Sequence, residues 1–127
     1  MSEKTFIYDQ HQENQDWLKR LDFYKEEIHI LRERLEELTS KNTDAQFLQA
    51  VEHFQNQFYI QRNHIDELSH DIRVNEGKLV HEIARNPVAV DHRKVENHEA
   101  EADFMDYFEK NFATLRADFN QLAAKWM

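Results

Sequence analysis

Apolar residues recur along this chain at alternating steps of three and four. The most regular stretch, 47–79, carries one heptad frame whose a and d positions hold Phe47, Val51, Phe54, Phe58, Ile65, Leu68, Ile72 and Leu79. Two amides, Gln61 and Asn75, occupy the other d positions of that frame. This period is typical of a long α-helix that buries one face and exposes the other.

The same spacing occurs before and after this central stretch. The earlier stripe is Trp17, Leu21, Tyr24, Ile28, Leu31, Leu35 and Leu38; the later one is Met105, Phe108, Phe112, Leu115, Phe119, Leu122 and Trp126. We predict helices over about residues 9–40, 43–85 and 88–126. Asp9 is expected to cap the first helix, the T-x-x-Q box at Thr43 the second, and Pro87 or Asp91 to begin the third.

Short connections make consecutive helices antiparallel neighbours, so the chain is predicted to be all-α, an elongated antiparallel three-helix bundle with coiled-coil-like packing and a single domain over 1–127. A left-handed cap at Asn42 is expected to end the first helix. A turn there sets Tyr24 level with Phe58, and Phe23 level with Ile60. The only glycine, Gly77, is a possible site of kinking in the second helix.

The composition and net charge of the chain make some classes of function improbable. The 127 residues include 16 Lys and Arg against 25 Asp and Glu, for a net charge of -9, and the basic residues are not gathered on one face. We therefore expect no binding to nucleic acid or to an anionic membrane. The sequence has no cysteine and no run of eighteen apolar residues, which favours a cytoplasmic protein.

Histidines and carboxylates raise the question of a metal site. Two Glu-x-x-His pairs, at Glu26 and at Glu67, fall on outward positions of their helices, so we predict no di-iron centre. A second set lies near the polar end of the bundle and consists of His81, His92, Glu96 and His98. It permits two interpretations: a Zn²⁺ or similar site, or a hydrated bundle end in which His98 fills a marginal core position.

Catalysis and cofactor binding are not predicted. The chain has no cysteine nucleophile and no glycine-rich loop to hold a phosphate, and its serines lie at a terminus, in a turn or on a charged face. We expect no enzyme activity and no cofactor.

Two amides fall on core positions of the heptad frame, and four apolar residues fall on outer positions. Gln61 and Asn75 either fix the register of the seam or face water. Four apolar residues, Phe23, Ile30, Tyr59 and Ile60, fall on outer positions. They are predicted to form an interface, for a homodimer or for another helical protein; the alternative is that they are separate exposed residues of the ordinary kind.

Four segments resemble short uncharacterised helical proteins of bacteria: WLKRL (17–21), VEHFQNQF (51–58), NHIDELSHDI (63–72) and LAAKWM (122–127). That resemblance implies a coiled-coil-like fold and brings no activity to carry over. The sequence thus favours a non-catalytic interaction or structural module that self-associates. The alternative is a metal- or small-ligand-binding bundle that uses the end around His81, His92 and His98.

Overall fold

The computed structural model describes the backbone of residues 3–85 and 92–127, and the side chains of residues 9–81, 84 and 98–127. It contains three helices, α1 (Glu3–Lys41), α2 (Ala45–Arg85) and α3 (His92–Trp126), and no strand among these residues. Each helix packs against the other two. The prediction of an all-α three-helix bundle is confirmed.

The helices end where predicted, at Lys41, Arg85 and Trp126 against predicted ends of about 40, 85 and 126, but the starts of α1 and α2 differ from the predicted ones. Helix α1 begins at Glu3 rather than Asp9, because no glycine or proline precedes Asp9 to stop it. The T-x-x-Q box is also wrong: Oδ1 of Asp44 accepts the backbone N–H groups of Gln46 at 2.9 Å and Phe47 at 3.2 Å. A carboxylate is favoured at this helix end by the macrodipole. Pro87 and Asp91 lie outside the described residues.

Asn42 ends α1 in a different way from the one predicted. No non-glycine residue in the described part of the chain has a positive φ, so the left-handed cap is wrong. Instead, Nδ2 of Asn42 donates to the carbonyl oxygens of Leu38 at 2.9 Å and Trp126 at 3.1 Å. One amide therefore caps the carboxyl ends of α1 and α3 together, which helps to hold these parallel helices side by side.

The core follows the heptad frame. All eight apolar residues of the central stretch are buried, and aromatic rings are the largest fully buried side chains. The ring of Phe119 lies 5.7 Å, centroid to centroid, from the rings of both Phe54 and Phe58. Such bulky layers fill the wide seam between three helices.

The register of α1 against α2 differs from the predicted one. Asn14 bonds to Glu76, and Lys25 pairs with Asp66 at 3.0 Å. The predicted register sets Asn14 level with Ser69 and Lys25 level with Phe58, so each observed partner lies about one heptad further along α2. A slip of one heptad keeps apolar residues opposite apolar residues, which is why the pattern could not exclude it.

Gly77 lies within α2, which continues through it as helix. A Cβ added there would meet no atom within 4 Å. Gly77→Ala is therefore expected to raise the free energy of unfolding by about 1 kcal/mol, measured by urea denaturation. The opposite change at an exposed site of α3, Ala113→Gly, should lower it by a similar amount. Equal stability of Gly77→Ala and the parent chain would contradict the expectation.

Candidate functional site

A layer of polar side chains lies beside the apolar core in the N-terminal part of α1. Buried residues of this layer come from all three helices: Gln10 and Asn14 from α1, Glu76 from α2, and Glu101 from α3. The two α1 residues continue the stripe that starts at Trp17, at the same spacing of three and four. Among the described side chains, amides and carboxylates thus follow the apolar core cluster at this end.

Two side chains of α1 contact the carboxylate of Glu76. Nδ2 of Asn14 donates to Glu76 Oε2 at 2.6 Å, and Nδ1 of His11 contacts Glu76 Oε1. Two atoms of this layer, Nε2 of Gln10 and Oδ1 of Asn14, are buried and have no hydrogen-bond partner among the described residues. The layer therefore joins α1 to α2 but does not satisfy all of its own polar atoms.

Glu101 lies on the α3 side of the same layer and is only 8% exposed. Nδ2 of Asn75 donates to its Oε1. Burial raises the pKa of Glu101 to about 7, since it disfavours the charged form; Asn75 opposes the rise and the negative charge of Asp71 adds to it. The Glu101 carboxyl is thus divided between its two protonation states near neutral pH.

The residues of the predicted metal site are placed as follows. His98 stacks on Trp17 with ring centroids 4.7 Å apart, and its Nε2 lies 3.5 Å from Oε1 of Glu13. His81 is exposed, and the side chains of His92 and Glu96 lie outside the described residues. Within the described part of the chain, no three His, Cys, Asp or Glu side chains form a group that could hold a metal ion.

The two Glu-x-x-His pairs point outward as predicted. Glu26, His29, Glu67 and His70 are all exposed. His29 makes a local pair with Glu33 at 3.0 Å on its own helix. These pairs therefore belong to the solvated face of the bundle.

Ion pairs and hydrogen bonds link α1 to α3 along one flank of the bundle. Arg116 binds Glu27 with two nitrogens, Nη2 lying 2.6 Å from Oε2. Glu109 accepts from Arg20 at 2.7 Å and from the Tyr24 hydroxyl at 2.6 Å. Burial, followed by the bond to Glu109, raises the pKa of Tyr24 to about 12. These contacts fix the two parallel helices, and the heptad pattern gave no sign of them.

The opposite flank, between α2 and α3, is open. Three hollows of about 230, 320 and 370 Å³ lie along it. Two of them share Asp71, Ala100 and Glu101, and the third begins at His64, whose ring packs edge-on against Phe104. We refer to these hollows together as the α2–α3 groove. It is lined by residues 53–75 of α2 and 100–118 of α3.

Gln61 and Asn75 both face inward. Gln61 is buried at the floor of the α2–α3 groove, and its Oε1 has no donor among the described residues. Asn75 is half-buried and bonds to Glu101. Asn75 therefore fits a residue that fixes the register of α2 against α3.

The four residues of the predicted interface are all exposed: Phe23 66%, Ile30 47%, Tyr59 67% and Ile60 41%. With the α1–α2 register corrected, Phe23 is not level with Ile60. Phe23 and Ile30 lie one heptad apart on α1, on the flank where neighbouring Arg20 and Glu27 reach α3.

The α2 members of that set lie on other flanks. Tyr59 lies one heptad before Asp66, which pairs with α1. Ile60 lies one turn from Gln57 and from His64, which line the α2–α3 groove. Phe23 and Ile30 therefore share one flank of α1, while Tyr59 and Ile60 lie on other flanks of the bundle.

The polar layer was missed in the sequence, although a signal for it exists. Extending the α1 stripe backwards from Trp17 reaches Asn14 and then Gln10, both buried.

Among the described residues, none of the three helices is both long and apolar enough to cross a membrane. No protein-family model, curated protein or solved structure matches the chain.

Proposed function

We propose that this chain is a non-catalytic helical module that associates with a second copy of itself through apolar side chains outside its core. The observation that carries the proposal is the pair Phe23 and Ile30, one heptad apart on α1 and both exposed. Burying a phenylalanine or isoleucine side chain stabilises by about 2 kcal/mol. In a twofold dimer each residue is buried twice, so even two residues contribute a substantial free energy of association.

The polar groups of the bundle support an interaction role better than a catalytic one. The two acidic groups with clearly raised pKa, Glu101 and Tyr24, are each bonded to a side chain of a neighbouring helix. Their geometry serves to join helices. We propose a cytoplasmic location on the composition, since the chain has no cysteine.

Metal or small-ligand binding at the His81, His92 and His98 end stays a prediction of the sequence. Its best-placed member, His98, is engaged with Trp17 and Glu13. An association module fits the described contacts more directly.

Self-association is tested by light scattering after size exclusion over a range of protein concentrations. We expect a mass near twice that of the 15.4 kDa chain. Phe23→Glu removes an apolar contact twice in a twofold dimer, at about 2 kcal/mol each, and should weaken dimerisation about a thousandfold. Ile30→Glu should act in the same direction.

The matched control is Leu48→Glu, which charges an exposed apolar residue near the start of α2. It should leave the mass unchanged, and circular dichroism should show the same helicity for all variants. A parent chain that is monomeric at every concentration would contradict the proposal. So would a dimer that Phe23→Glu and Ile30→Glu leave intact.

A further inference from the structure

The α2–α3 groove is a second surface, separate from the stripe at Phe23 and Ile30. Its hollows are spaced along α2 from His53 to Val74 and along α3 from Asp118 to Ala100, with the packed rings of His64 and Phe104 between them. At roughly 1.5 Å per residue this length of α2 corresponds to about 30 Å. The groove is therefore long enough to receive a helix of about twenty residues.

Apolar side chains line this groove at several levels. Leu68 and Leu115 are buried beneath it, while Val74, Phe104 and Tyr107 are exposed along its sides. A helix laid between α2 and α3 would cover these side chains by the same ridge-and-groove packing that joins the three helices of the bundle. The result would be a four-helix arrangement.

The charged side chains that line the α2–α3 groove are all acidic. Glu67, Asp71, Asp118 and the buried Glu101 line it, and its lining includes no lysine or arginine. The cations whose ion pairs bridge helices, Arg20, Lys25 and Arg116, lie on the other two flanks. None of the three exposed carboxylates forms an ion pair with another described residue. The groove thus offers acceptors and negative charge without internal compensation.

The identity of the occupant follows from these features. We propose that the α2–α3 groove binds an amphipathic helix of another protein, one whose apolar stripe packs on Val74 and Phe104 and whose flanking lysine or arginine residues pair with Glu67, Asp71 and Asp118. A second copy of this chain fits less well, because its net charge is also -9. The inference shares the role of interaction module with the proposed function but does not depend on self-association.

The probe is a synthetic fluorescein-labelled peptide of about twenty residues, with leucine at heptad a and d positions and lysine at the flanking positions. Binding is measured by fluorescence anisotropy against the full chain at several salt concentrations. A second peptide with glutamate in place of lysine serves as the control. We expect the lysine peptide to bind and the glutamate peptide to bind at least about tenfold more weakly. Equal binding of the two peptides would overturn the proposal.

Two matched double variants distinguish binding in the groove from attraction by the net charge of the whole chain. Glu67→Gln with Asp71→Asn neutralises two carboxylates one turn apart in the groove. Asp22→Asn with Glu26→Gln neutralises two exposed carboxylates at the same spacing on α1. The groove variant should bind the lysine peptide about tenfold more weakly, and the α1 variant less than about twofold. Equal losses in both variants would contradict a specific groove.

The apolar part of the interface is tested by Phe104→Ala, with Leu48→Ala, at an exposed apolar residue outside the groove lining, as the control. The first change should weaken peptide binding about tenfold and Leu48→Ala should leave it unchanged, since a single aromatic contact often dominates such an interface. Equal effects of the two alanine variants would contradict the assignment of Phe104 to the binding surface.

Light scattering on the groove variant distinguishes this inference from the proposed dimer. The Glu67→Gln and Asp71→Asn variant should keep the mass of the parent chain. A change in its mass would show that a second copy occupies the groove and would overturn the inference. A monomeric parent chain that binds the lysine peptide in the groove would support the inference while contradicting self-association.

Discussion

Phe119→Ala is expected to lower the free energy of unfolding by about 4 kcal/mol. Phe119 is fully buried, and its ring meets Phe54 and Phe58 where α2 and α3 face each other. Removing the ring forfeits its transfer free energy and leaves a cavity that these neighbours, themselves fixed by packing, cannot fill. Urea denaturation followed by circular dichroism measures the change.

Two further variants show whether the loss comes from packing. Phe119→Leu keeps most of the volume and should cost about 1 kcal/mol. Tyr107→Ala removes an exposed ring from the same helix and should change stability by less than about 0.5 kcal/mol. A loss for Phe119→Ala no greater than that for Tyr107→Ala would contradict the aromatic core. If Phe119→Ala is too unstable to study, Phe119→Leu still gives a measurable loss.

Glu101→Gln is expected to stabilise the bundle at pH 8 by about 2 to 3 kcal/mol. Burial raises the pKa of Glu101 from its ordinary value of 4.5 to about 7, a difference worth about 3 kcal/mol. In the folded state the carboxyl therefore holds its proton more tightly than in the unfolded chain. The glutamine amide is neutral at every pH, and its oxygen still accepts from Asn75.

The sign of the pH dependence follows from that difference. The favourable contribution of protonated Glu101 is fully present below about pH 4.5 and is lost as the pH rises to about 7, because over this range the unfolded chain releases the proton while the folded state still holds it. The parent chain should lose stability relative to Glu101→Gln over this window. Other groups titrate in both proteins, so the difference between them isolates Glu101.

Urea denaturation of both proteins at several pH values between 4 and 8 measures this difference. Glu99→Gln, at an exposed neighbouring position of α3, is the matched control and should follow the parent curve. A constant difference between the parent chain and Glu101→Gln over the whole range would contradict the raised pKa.

The faces of the helices could be read from the sequence because side-chain spacing is a local property. Phe47, Phe58 and Leu79 were predicted to point inward and are buried. The same frame set Glu26 and His70 outside, where they are exposed. A helix repeats every 3.6 residues whatever it packs against, so its buried face follows from its own residues.

The helix ends were harder to predict because several capping residues compete within a few positions. Thr43 and Asp44 both precede α2, and the carboxylate is the one that accepts the first N–H groups. Asn42 adopts no left-handed conformation because its amide reaches the end of α3 instead. That second partner is remote in sequence, so local rules could not include it.

By itself, the sequence determined that this protein is all-α, which three stretches form its helices, and which side of each helix is dry, because these properties follow from local periodicity and from the scarcity of turn residues. Only the tertiary structure decided the register of α1 on α2, the meeting of Asn14 with Glu76 and of Asn75 with Glu101, and the separation of Phe23 from Ile60. The physical reason is that a slip of one heptad again sets the apolar stripes of α1 and α2 opposite each other while it changes their polar partners.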